Sequence, residues 1–181
     1  MFKLRTKGFT LVELMVSISI IMLLSTLVLS GVAGTRKSAR VLQRIADLKQ
    51  VQGALERYYA NNKSYPVSVG QTWSSVCPAW GGLSPNAVIP GLAPAYINTI
   101  PVDPQTAANS NSNCYIYASN GTDYALLDHW VTELEAGNSG ATYLKYPELV
   151  DPARDGGSST SIVDGAGVWA WKVSSPGARV W

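Results

Sequence analysis

Three observations predict an α+β fold in which a long N-terminal helix packs on a small antiparallel β-sheet head. An apolar run extends from Phe9 to Ala33 with Glu13 as its only charged residue. Val41, Ile45, Leu48, Leu55 and Tyr59 then recur at three-, four- and seven-residue intervals, the signature of an amphipathic helix. Further on, Cys114–Ser119 and Thr122–Leu127 alternate on either side of Asn120-Gly121, a strong hairpin turn.

At about 1.5 Å per residue, the first run covers a hydrocarbon core about 30 Å thick and reads as a membrane helix. A lone ionised carboxylate inside such a helix costs on the order of 3 kcal/mol, so Glu13 calls for a partner that neutralises it. A helix from about Thr10 to about Ala60 is roughly 75 Å long, half of it in lipid and half forming the spine of the head. Asn61-Asn62-Lys63-Ser64-Tyr65-Pro66 ends it, because asparagine tolerates the left-handed turn after a helix and Pro66 keeps its predecessor out of helical geometry. Ser30, Gly31 and Gly34 form a weak stretch in the middle, although no proline interrupts the helix.

In the head, a proline-rich loop precedes the hairpin, and Trp169-Ala170-Trp171-Lys172-Val173 has the period of a further strand. The segment 136–164 is rich in Gly, Ser and Asp with little periodicity and reads as irregular. Trp73, Trp80, Trp130, Trp169, Trp171 and Trp181 all fall in the head. Most are expected in its core as large apolar anchors, with any exposed ones open to adhesion or subunit contact.

The length of 181 residues suits one membrane helix and one globular domain. The net charge of +2 is unevenly divided, with Arg36, Lys37, Arg40, Arg44, Lys49 and Arg57 along the helix and acids dominating the head. A solvated helix face or complementarity between subunits explains this better than nucleic-acid binding. Lys3, Arg5 and Lys7 before the span compete with Arg36, Lys37, Arg40 and Arg44 after it, so charge counting leaves the topology open. No catalytic pattern stands out. Gly137-Asn138-Ser139-Gly140-Ala141 lacks the last glycine of a nucleophile elbow, and His129 beside Asp128 has no recognisable nucleophile. The chain also has no glycine-rich phosphate loop and no usual zinc set, so it is read as a non-enzyme.

Lys7-Gly8-Phe9-Thr10-Leu11-Val12-Glu13-Leu14-Met15-Val16 resembles the class III signal of type IV pilins and type II secretion pseudopilins. Arg57-Tyr58-Tyr59-Ala60-Asn61-Asn62-Lys63-Ser64-Tyr65-Pro66 and Ile100-Pro101-Val102-Asp103-Pro104 resemble the major pseudopilin branch. The resemblance implies a pilin fold, and it implies that prepilin peptidase removes a leader (1–8) between Gly8 and Phe9 and methylates the Phe9 amine. It divides the rest into a filament-core half of the helix (9–34), an amphipathic half (35–63) and a head (64–181). It also implies that Glu13 meets the terminal amine of a neighbouring subunit. Leader in the cytoplasm, single pass through the inner membrane, and head outside is the implied topology. Two plainer readings compete: an ordinary secretory signal, whose core is shorter and lacks a glutamate, and a simple single-span anchor.

The implied partners are copies of the chain in a helical homopolymer, prepilin peptidase, minor pilins or pseudopilins, an assembly ATPase and a polytopic membrane platform. Function on this reading is structural, in a pseudopilus that supports protein export. The alternatives are a type IV pilus for adhesion, twitching motility or DNA uptake, and a membrane-anchored binding module. An outer, oxidising location favours a Cys77–Cys114 disulfide, the alternative being two buried free thiols. Major pseudopilins often hold calcium after this hairpin, and Asp151, Asp155 and Asp164 offer hard oxygen ligands, although there is no Asp-x-Asn/Asp-x-Asn/Asp-Gly loop and acids beside glycines commonly form turns.

Overall fold

The computed structural model describes residues 8–131, 145–155, 169–179 and 181, with the side chains of 27–33, 71, 153–155 and 169 left out. The chain divides into two units, Met1–Arg40 and Val41–Trp181. One helix, α1 (Leu11–Asn62), contributes to both. In the first unit its side chains from Leu11 to Thr26 are exposed. Among the described residues no helix is long and apolar enough to cross a membrane; residues 27–33, part of the expected span, have no described side chains.

α1 ends at Asn62, inside the stretch Asn61–Pro66 expected to stop it. Lys63, rather than an asparagine, takes the left-handed conformation at φ 59°, and its N–H donates back to the Tyr59 carbonyl at 2.8 Å.

The second unit contains a five-stranded antiparallel sheet: β1 (Ser74–Ser75), β2 (Cys114–Ser119), β3 (Tyr124–His129), β4 (Val150–Asp155) and β5 (Trp169–Ser174), in the order β1-β2-β3-β5-β4. The hairpin is present, but its loop is longer than the two residues expected. Asn120 Oδ1 accepts the N–H groups of Thr122 at 3.0 Å and Asp123 at 2.8 Å, so the side chain builds the turn and Ser119 pairs with Tyr124. β3 therefore begins at Tyr124 and runs to His129.

The alternation along the hairpin does not separate a core face from a wet one, because β2 and β3 are buried at every position. Tyr117, Tyr124, Leu126, Trp171 and Val173 share one cluster with Val41, Ile45, Leu48, Val51 and Leu55 of α1. Ile116, Ala125, Leu127 and Ala170 join a second cluster with Cys77 and Cys114, against which Trp73, Trp80 and Trp181 lie. A sheet covered on both sides has no water-facing row.

Two expectations from the helix pattern need correction. Tyr59 is 40% exposed and stacks on Tyr65, with ring centroids 4.7 Å apart, instead of closing the buried stripe. Arg44, grouped with the solvated cations, is fully buried. The tryptophans also differ: of those whose side chains are described, only Trp171 is fully buried, Trp130 is 40% exposed, and Trp73, Trp80 and Trp181 are half-buried over the second cluster.

Candidate functional site

At the start of α1 the sequence Thr10-Leu11-Val12-Glu13 forms a reciprocal cap. Glu13 N–H donates to Thr10 Oγ1 at 3.2 Å, while Thr10 N–H and hydroxyl donate to Glu13 Oε2 at 2.9 and 2.7 Å. This is the Thr-x-x-Glu capping box, which satisfies amide donors that a helix leaves unpaired. Its spacing, Thr10 and Glu13 three residues apart at the start of an apolar run, is visible in the sequence. The carboxylate is thus positioned at the helix start and still exposed.

Beside it, Phe9 is 81% exposed, and Leu11, Val12, Leu14, Met15 and Val16 are each more than half exposed. A helix apolar around its whole circumference is a surface for lipid or for other helices. Among the described residues, a Cβ on Gly8 would meet nothing within 4 Å, so no neighbour there demands glycine.

The head contains a buried charge cluster that the sequence reading missed. Arg44 Nε on α1 donates to Asp103 Oδ2 at 2.5 Å and Nη2 donates to Gln105 Oε1 at 2.8 Å. Asp128 Oδ2 on β3 lies 3.5 Å from the same Nε, and among the described residues neither oxygen of Asp128 has a hydrogen-bond donor. Burial, reinforced by the Asp103 charge and opposed by Arg44, pushes the Asp128 carboxyl well above its ordinary range. Asp47 is also raised, chiefly by burial, although the Tyr115 hydroxyl donates to it at 3.0 Å. The signal that could have revealed Arg44 is its register: 41, 44, 48, 51 and 55 form one helical stripe. The cluster ties α1 to the Ile-Pro-Val-Asp-Pro turn and to the sheet. His129, the other residue weighed for catalysis, is buried with its ring edge-on to Trp80 at 4.7 Å.

Cys77 and Cys114 form a disulfide with Cα atoms 6.2 Å apart, joining the proline-rich loop to the start of β2. Of the three carboxylates expected to hold calcium, only that of Asp151 belongs to the described residues. Asp151 is fully buried on β4, and Lys172 Nζ lies 2.7 Å from its Oδ1. Asp155 ends the same strand, its side chain outside the described residues, and Asp164 lies outside them altogether. Among the described residues, no three His, Cys, Asp or Glu side chains form a metal set.

A capped, exposed apolar helix leading into a small disulfide-tied antiparallel head is the construction of a pilin-type subunit. Residues 3–29 match the prokaryotic N-terminal methylation motif family. The type II secretion system core protein G of Aeromonas hydrophila is 31% identical over 104 residues, covering 58% of this chain and 71% of the relative. That of Pectobacterium carotovorum subsp. carotovorum is 30% identical over 132 residues, 68% of each chain. The Klebsiella pneumoniae protein of the same name is 38% identical over 64 residues, 35% of this chain, which spans only 46% of that relative's length. The chain belongs to the type II secretion system core protein G family, the major pseudopilins. No solved structure matches it.

Proposed function

We propose that the chain is a structural subunit of a type II secretion pseudopilus. Prepilin peptidase cleaves it between Gly8 and Phe9 and methylates Phe9. The apolar half of the helix then holds it in the inner membrane with the head outside, and copies enter a helical filament that supports protein export. Glu13 pairs with the terminal amine of a neighbouring copy, gaining a cation where lipid leaves a carboxylate uncompensated. A prepilin peptidase, minor pseudopilins, an assembly ATPase and a membrane platform are the partners this role needs. The role is mechanical and assigns no catalysis to the head.

The observation that carries this reading is the exposed apolar surface formed by Phe9 and by α1 from Leu11 to Leu24, with the Thr10–Glu13 cap at its start. The open space at Gly8 adds to it: with no steric demand from the described residues, the glycine suits recognition by a peptidase. The names of the relatives supply the secretion system. Electron microscopy of native cells and sheared material, probed with antibody to the head, tests the proposal. A cell-bound epitope without long fibres, with loss of exoprotein release in a deletion strain, is the expected result. Long surface fibres carrying the epitope, with export intact, would make the chain a type IV pilus subunit instead.

A further inference from the structure

We infer that Lys172 is a built-in cation of the head, occupying at Asp151 the position a divalent metal would take. Asp151 on β4 is fully buried, and Lys172 on β5 is only 5% exposed. The ammonium lies 2.7 Å from Asp151 Oδ1 and donates to the Arg179 carbonyl at 2.6 Å. A carboxylate and a main-chain carbonyl are the hard oxygen donors that calcium takes. Here they converge on a lysine instead, and a divalent ion on the same oxygen would face the ammonium at close range. A buried lysine persists only when paired and hydrogen-bonded, and both conditions are met.

The pair lies where the sheet needs it. Between β4 and β5 the register shifts, with Val150 opposite Trp171 and Asp155 opposite Trp169, so the backbone ladder is interrupted along the stretch that holds Asp151. The ion pair ties β4 to β5 across that irregularity. Through Arg179 it also fastens the C-terminal turn, whose other end is held by Asp123: its Oδ1 accepts from Ser175 Oγ at 2.6 Å and Gly177 N–H at 3.1 Å. A Cβ at Gly177 would collide with that carboxylate, so a larger residue there would push the Asp123 side chain off these donors. This inference concerns the head alone and stands or falls apart from the filament role.

The test is thermal melting of the full chain in detergent, with millimolar calcium chloride or with chelator. Any change that calcium makes to the midpoint is expected to be the same in wild type as in the variant lacking both Asp151 and Lys172. Lys172→Met is expected to lower the midpoint by roughly 10 °C, because it takes the ammonium from a buried carboxylate. The double variant Asp151→Asn with Lys172→Met is expected to recover most of that loss. A calcium-induced rise in wild type that vanishes in the double variant would overturn the inference, as would Lys172→Met melting like wild type. A rise common to both would place calcium elsewhere and leave Asp151 with its lysine, as inferred.

Discussion

Arg44 faces two aspartates inside the head, and that imbalance determines how the residue-scale chemistry behaves. Replacing Arg44 with methionine leaves Asp103 and Asp128 buried without their cation, which should cost about 3–5 kcal/mol in urea unfolding. Because the folded chain raises the Asp128 pKa above its ordinary 3.8, it binds that proton more tightly than the unfolded chain does. The Asp128 contribution to stability is therefore complete at low pH and declines as pH rises above about 4, until the folded group also ionises. Asp47, raised by its own burial, slopes the same way. Asp128→Asn should consequently flatten the fall in unfolding midpoint between about pH 5 and pH 8 relative to wild type. Parallel profiles would show that Asp128 is already ionised in the fold.

At the scale of elements, the disulfide and the packing of α1 on the sheet hold the head together. The bridge closes a loop with a sequence separation of 37, so Cys77→Ser with Cys114→Ser should lose about 3–4 kcal/mol of stability. Unfolding wild type with and without reductant should reproduce that loss. Leu48→Ala removes a fully buried side chain where α1 meets the sheet and should cost about 2–5 kcal/mol by the same measurement. The hairpin was legible because its information is local: an Asn-Gly turn between two alternating runs. β1 and β4 were not. Ser74 and Ser75 are held by their hydroxyls, which donate to the carbonyls of Val88 and Tyr115, and nothing in two adjacent serines announces a strand. β4 contains Pro152, which a sequence reading takes as a strand breaker, but the strand lies at the edge of the sheet, where a missing donor is tolerated. Lys172 escaped notice for a related reason, since a lysine on an alternating strand is expected to face water.

For the whole molecule, the N-terminal motif was the most legible part, since Gly8, Phe9 and Glu13 stand within the first thirteen residues, inside the stretch 3–29 that matches the methylation-motif family. What the sequence reading did not provide was the Thr10 cap that orients Glu13. On the proposed role, Glu13→Ala should still be processed at Gly8 yet fail to enter filaments, as judged by fractionation and microscopy of sheared material; normal filaments would remove the amine-pairing role. Gly8→Val should block processing while leaving the melting of the head unchanged, because position 8 meets no neighbour among the described residues. The most direct test of the account is mass spectrometry of the N-terminal peptide from the protein isolated from its own cells. The account predicts a mature chain beginning at N-methylated Phe9. A chain that retains Met1–Gly8, or is cut at another bond, would contradict it.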